Sequence, residues 1–362
     1  MAAQLGRFLA IPLALFAQHS PPFEPDFQYH HGSIAVPKAH AAEPVSAYSF
    51  RRGLDYLENG ALVWVRQAQC VSCHTAGTYL LVRSQMNAQA GPPSREVRDF
   101  FVSTLDYYDR QKPAWFTGVQ PQQVVYTAAG LAEYDAQVTR KLSPETDRAI
   151  RKMLSVQTET GDWTNAACWP PLESSRYHGA TIAARAIAVA PGWKAAASPE
   201  FQTRVERLHA YLKSGAAQHD YDRVSLLWTA AVEPSLMAAT EQSALLALLR
   251  RKQRADGGWS MRAFATSRQW GDGKRAARLD AEPDATDPES DGHMTGLALV
   301  VLQAHGVPAS DPQVRRGLDW LVRNQRASGR WWTKSLNTDK WNFITYSGSA
   351  YPLLALARYG RK

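Results

Sequence analysis

One cassette, Gln-x3-Gly-x-Trp, occurs three times in the chain: Gln157–Gly161–Trp163, Gln253–Gly257–Trp259 and Gln325–Gly329–Trp331. Each follows a leucine, and the first copy is one residue shorter between that leucine and its Gln. The run RRGLDWL (Arg315 to Leu321) leads into the last copy, and RRGLDYL (Arg51 to Leu57) echoes it near the other end. A repeated helical unit cannot bury its apolar face alone, so repeats stack on one another. Every unit reads the same way. An amphipathic helix reaches a Gln, a Gly turn ends it, and a Trp and a loop lead into a second helix. The second helices are expected at Cys70–Met86, Gln122–Tyr134, Tyr177–Ala190, Asp222–Val232, Met294–Ala304 and Tyr346–Tyr359. They are rich in Ala, Gly and Leu, and a helix that is apolar all round is a buried one. The leading helices carry their charges on one face. The expectation is an all-α fold of six helix pairs, an inner ring within an outer ring.

Composition limits the partners. Apolar residues make up 45% and charged residues 20%, enough to fill a large core. No apolar run approaches the ~20 residues of a membrane helix. Lys and Arg outnumber Asp and Glu by 41 to 33, a net +8, which favours an acidic partner or association with an anionic membrane surface. The basic residues are scattered and form no nucleic-acid motif, so nucleic acid is not an expected partner.

The Gln–Gly–Trp cassettes resemble the QW motifs of the squalene–hopene cyclase and protein prenyltransferase superfamily. The resemblance implies an (α/α)6 toroid over about residues 47–360. It also implies where cyclase acid chemistry would sit, in a D-x-D-D-T-A segment opening an inner helix. Here the fitting segment is Asp291-Gly-His293-Met294-Thr295-Gly296. The frame matches at Asp291 and Thr295, but His293 and Met294 replace the two acids. An imidazolium is far too weak to protonate an alkene. The prenyltransferase zinc set is not completed either, because no D-x-C pair accompanies Asp291 and His293. The run from Asp284 to Asp287 reads as a solvated acidic turn.

A second motif points elsewhere. Cys70-Val-Ser-Cys73-His74 has the spacing of c-type haem attachment, in which two thiols meet two porphyrin vinyl groups and the next imidazole reaches the iron. Only three cysteines occur in the chain, and this motif uses two of them. The rivals are a zinc site, a redox-active or disulfide-forming CxxC pair, and two buried thiols beside a histidine. Met86 lies twelve residues beyond His74, roughly 18 Å along a helix at ~1.5 Å per residue, too far to fold back over the same iron. Residues 1–17 carry one charge, Arg7, and the apolar stretch FLAIPLALFA, as a signal peptide or anchor does. Residues 18–46 read as a Pro- and His-rich linker and 47–362 as one toroid domain. Export to the periplasm or beyond agrees with haem attachment, which takes place outside the cytoplasm.

Aligned by their small-residue runs, three inner helices open with His74, His178 and His293. That register predicts a shared rim of imidazoles able to ligate haem iron or a transition metal, with His178 or His293 as distal ligand or acid/base. The competing reading makes them helix-start residues bonded within the protein. Arg176, Tyr177 and Tyr346 are weaker rim candidates, and Cys168 reads as a loop thiol. Most of the tryptophans read as packing for the repeats. Three functions follow: an exported haem c protein in electron transfer or oxidation of a hydrophobic molecule, a terpenoid-cyclase-like enzyme centred on Asp291 and His293, or a non-catalytic isoprenoid-binding module. Partners are accordingly a hydrophobic small molecule or a redox protein.

Overall fold

The computed structural model describes residues 28–38, 40–165, 170–172, 175–337 and 344–361. The segment read as a signal peptide, Cys168, Trp169 and Trp341 lie outside the described residues. Six outer–inner pairs follow in chain order: α1 (Phe50–Gln67) with α2 (Ala76–Arg83), α3 (Arg95–Asp109) with α4 (Gln120–Tyr134), α5 (Pro144–Ser155) with α6 (Arg176–Val189), α7 (Pro199–Lys213) with α8 (Asp220–Ala230), α9 (Ala239–Arg251) with α10 (Gly292–Ala304), and α11 (Pro312–Asn324) with α12 (Ile344–Arg358). Each inner helix packs on the next, and α12 packs back on α2, which closes the ring. The fold is an all-α (α/α)6 toroid.

The sequence assigns each helix to its ring. In α11 the buried Val314, Gly317, Leu318 and Leu321 recur at i, i+3, i+4 and i+7, a single stripe facing inward. In α10 every residue from Gly292 to Leu302 is buried. Gly296 lets α10 approach α12 closely: a Cβ there would lie 2.3 Å from the nitrogen of Pro352. Starts are marked by capping side chains, Ser49, Ser143 and Asp311 among them, each accepting from a backbone N–H of the first turn.

The cassettes form one tie used three times. The side-chain amides of Gln157, Gln253 and Gln325 donate to the carbonyls of Gly161, Gly257 and Gly329 at 3.1, 2.9 and 2.8 Å. They also donate to carbonyls in the next outer helix or at its N-cap, those of Arg204, Gln313 and Ser49. The indole N–H groups of Trp163, Trp259 and Trp331 donate back to Met153, Leu249 and Leu321. All three glycines have φ of +95° to +97°, a region only glycine enters freely. A Cβ on them would strike the carbonyl oxygen of Arg207, Arg316 or Arg52 at 2.4, 2.7 and 2.3 Å. The third tie joins the last pair to the first.

From Gln28 the stretch expected to be linker packs on this closure. It forms a small hairpin, His30–His31 against Ile34–Ala35, and a bridge between Val45 and Arg326. The guanidinium of Arg330, fully buried, is paired with Glu43 and donates to the carbonyls of Pro37 and Lys38 at 3.0 and 2.9 Å. Those contacts draw the segment from Gln28 onto the ring. Asp284 and Asp287, as expected of a solvated turn, meet Arg262 and Arg254. Among the described residues no helix is long and apolar enough to cross a membrane.

Candidate functional site

Side chains seven residues apart on a helix lie two turns apart on the same face. That spacing separates Tyr126 from Glu133, His178 from Arg185, Tyr221 from Trp228 and Tyr351 from Arg358. These residues meet across the toroid axis in two polar layers.

The first layer lies toward the N-terminal ends of the inner helices. His178 Nε2 sits 3.1 Å from the Tyr126 hydroxyl, and its Nδ1 3.4 Å from Ser225 Oγ. His293 repeats the pattern, with Nε2 2.9 Å from the Tyr221 hydroxyl and Nδ1 3.2 Å from Ser347 Oγ. The ring of Tyr221 stands between them, its centroid 5.8 Å from each imidazole. A third imidazole, His219, lies 6.2 Å from the same phenol and 4.8 Å from Trp270. His219 is the N-cap of α8: Nδ1 accepts from the Asp222 amide at 3.2 Å. Its side chain is fully buried, and Nε2 meets no partner among the described residues. Sequence reasoning missed His219. Its signal was the loop–helix junction, where a polar residue before an apolar run is a cap candidate.

Burial holds His178 and His293 neutral, each with its pKa lowered to about 3. It raises the Asp291 carboxyl to about 7. Unfolded, these groups titrate near 6.5 and 3.8. The two imidazoles bind protons more weakly when folded, so the stability they contribute is intact above pH 6.5 and drains as the pH falls from there toward 3. Asp291 opposes them, binding its proton more tightly in the folded state between pH 3.8 and 7. His74, likewise lowered to about 3 by burial, adds to these two imidazoles against the one carboxyl, so the melting temperature is expected to be lower at pH 5 than at pH 7.5. A melting temperature equal or higher at pH 5 in a thermal scan would mean that the imidazoles take up protons in the folded ring.

Both oxygens of Asp291 are taken up by backbone amides. Its Oδ1 accepts from the Met294 amide at 2.8 Å and caps α10, and its Oδ2 accepts from the Met261 amide at 2.6 Å. The weaker rim candidates are likewise engaged: Tyr177 donates to Leu212, Arg176 to Asp162 and Tyr346 to Gln28.

The second layer lies two turns along. Arg185 pairs with Glu133 at 2.6 Å, stacks on Trp228 at 4.1 Å and donates to Gln85. Arg358 donates to Gln85 and Gln303 at 2.5 and 3.2 Å. The axis is therefore occupied by the chain's own bonded side chains in both layers.

The Cys70–His74 motif sits beside the first layer. It was expected to form the first turn of an inner helix, but α2 begins at Ala76 and the motif is the loop before it. The cause is local: Ser72 bonds Thr75, Thr78 donates to the Cys73 carbonyl, and a Cβ on Gly77 would lie 2.6 Å from the Ser72 carbonyl. The chain turns tightly there instead of winding. Cys73 and His74 are buried, and Cys70 is partly exposed. Trp64 meets the His74 ring edge-on at 5.1 Å, and burial lowers the His74 pKa to about 3. The Cys73 thiol is within electrostatic reach of the Tyr221 and Tyr351 hydroxyls. Among the described residues no three His, Cys, Asp or Glu side chains converge to hold a metal ion. A zinc site, or a metal shared by His74, His178 and His293, draws no support from them.

Residues 221–361 match the family described as the squalene-hopene cyclase C-terminal domain. Over 76 residues, 20% of the chain, it is 37% identical to the squalene-hopene cyclase of Schizosaccharomyces japonicus, and it spans 11% of that protein's length. Among solved structures it is similar to the type II terpene cyclase MstE from Scytonema. A form of MstE in complex with geranylgeranyl dihydroxybenzoate aligns at 13% identity over 86% of this chain and 98% of that one, with a TM-score of 0.46. A form with merosterolic acid A aligns at 13% identity over 85% and 98%, with a TM-score of 0.45.

Proposed function

We propose that this toroid carries one covalently attached haem c and serves a redox role, either in electron transfer to a partner protein or in oxidation of a hydrophobic molecule. Cys70 and Cys73 would form the thioethers and His74 would be the axial ligand. The observation that carries this reading is the donor set: two thiols and an imidazole in one loop, with Cys73 and His74 buried. The set fits the chemistry of c-type attachment. When bound, the haem would supply one-electron chemistry. The chain's own part is to hold the His74 ring against Trp64, keep water from Cys73 and fix the loop through Ser72, Thr75 and Thr78. Export to the periplasm or beyond belongs to the same proposal.

Two observations weigh against cyclisation as the function. The position of a cyclase proton donor holds His293, a neutral imidazole bound to Tyr221 and Ser347. The axis where a polyene would fold is filled by three bonded pairs, Tyr126 with His178, Tyr221 with His293 and Arg185 with Glu133.

The test is expression of the full chain with a haem-maturation system. A Soret band that survives acid–acetone extraction is expected, with an intact mass equal to the mature polypeptide plus one haem. Changing both Cys70 and Cys73 to Ser should abolish both signals. Colourless protein of polypeptide mass overturns the proposal, and lipid extracted from that material would then favour the isoprenoid-binding reading.

A further inference from the structure

The first axial layer repeats one arrangement. Tyr126 of α4, His178 of α6 and Ser225 of α8 form one chain of bonds, and Tyr221 of α8, His293 of α10 and Ser347 of α12 form the next. The hydrogens of the first chain can be placed. Ser225 donates its one hydroxyl hydrogen to the Tyr221 carbonyl at 3.0 Å, so toward His178 Nδ1 its oxygen accepts. Nδ1 therefore carries the hydrogen of the neutral ring, and Nε2 is left as the acceptor for the Tyr126 hydroxyl at 3.1 Å. His293 presents Nε2 to the Tyr221 hydroxyl in the same way, at 2.9 Å. All four rings are buried, and burial holds both imidazoles neutral. Both pairs border the Cys70–His74 loop. A Cβ on Gly77, just beyond that loop, would lie 2.8 Å from the Tyr126 ring, and the Tyr221 hydroxyl is within electrostatic reach of Cys73.

We propose that Tyr126–His178 and Tyr221–His293 are proton-coupled one-electron donors, oxidisable tyrosines that each keep a built-in base and serve the site at Cys70–His74. A phenol that loses an electron becomes a strong acid, and in a buried place its proton must pass to a base already within hydrogen-bond reach. Each pair supplies that base. The phenol O–H bond breaks, its proton moves to the imidazole Nε2, and one electron leaves. A neutral phenoxyl radical remains beside an imidazolium. The inference rests on the redox reading for its natural oxidant, a haem oxidised by a peroxide. Reducing a peroxide to water takes two electrons, one from each pair, and two protons, which come from solvent.

Flash-quench oxidation of the full-length protein with tris(bipyridine)ruthenium(III), an external one-electron oxidant, tests the pairs without haem. The EPR spectrum is expected to show a tyrosyl radical that outlives those of exposed tyrosines and forms more slowly in D2O than in H2O. Tyr126→Phe and Tyr221→Phe should each remove part of that signal, and the double variant all of it. His293→Gln leaves Tyr221 a hydrogen-bond acceptor but no base. Combined with Tyr126→Phe, it should slow radical formation about tenfold relative to Tyr126→Phe alone, whereas a bond kept only for stability would leave the rate unchanged. Should the variants fail to fold, the lifetime and the solvent isotope effect in the unmutated protein decide. No long-lived tyrosyl signal, no isotope effect, a signal intact in the double variant, or indifference to His293→Gln would each overturn the proposal. Haem-loaded protein without these radicals loses the tyrosine pairs and keeps the haem, and colourless protein that forms them does the reverse.

Discussion

Replacing Glu133 with Ala should destabilise the protein by about 3–5 kcal/mol, the range for removing one partner of a buried ion pair. Glu133 is fully buried, and the Arg185 guanidinium is 3% exposed. Arg358 lies in the same layer, and burial beside Arg185 lowers its pKa to about 10. Without Glu133 the second axial layer holds two guanidinium groups and no counter-charge. The remaining partners, Gln85, Gln303, the Trp228 carbonyl and the Trp228 face, are neutral. They satisfy donors but not charge. Urea denaturation of the single variant and of Glu133→Ala/Arg185→Met checks the cause. The double variant should recover much of the loss, because the orphaned charge leaves with Arg185. A single variant within about 1 kcal/mol of the parent would mean that water reaches this layer.

The layered axis also shows how far the sequence could be read. The rings were legible because both signals are local: a stripe of period 3.6 for outer helices and an unbroken apolar run for inner ones. The ties were legible because Gln, Gly and Trp lie within seven residues. The difference from the D-x-D-D frame was legible at His293 and Met294, where the two acids are missing. The partners of His178 and His293 were not, because the bonds to Tyr126 and Tyr221 join residues 52 and 72 apart. The period of seven linking Tyr126 to Glu133 and His178 to Arg185 could have placed those side chains on one face. It could not have shown that the faces meet across the axis. Asp291 illustrates a different limit. An acid before Gly-His-Met-Thr suits a motif frame and a helix cap equally, and only its two bonds to the Met261 and Met294 amides make it a cap. The segment from Gln28 to Ser46 was unreadable as structure because its hold on the ring comes from Arg330, nearly 300 residues away.

Gly329→Ala should cost about 2–5 kcal/mol, the sum of backbone strain and overpacking against an immobile neighbour. At φ +95° the residue lies where an L side chain is strained. Its new Cβ would stand 2.3 Å from the Arg52 carbonyl oxygen and 2.9 Å from the Gly53 nitrogen, both backbone atoms of α1. Gly306 supplies the control, because its φ is +79° and nothing lies within 4 Å of the added Cβ. Gly306→Ala should therefore lose only the strain, about 1 kcal/mol. The excess at Gly329 measures the contact between the last cassette and the first helix, which is the contact that closes the ring. Thermal unfolding of the pair checks the difference, and equal losses would mean that α1 yields without resistance. Limited proteolysis adds a second readout. If the cassette is a closure, Gly329→Ala should speed cleavage within residues 28–48, which rest on Arg326 and Arg330. Gly257→Ala, with a similar φ and a 2.7 Å approach to Arg316 at another joint, should lower stability without exposing that segment.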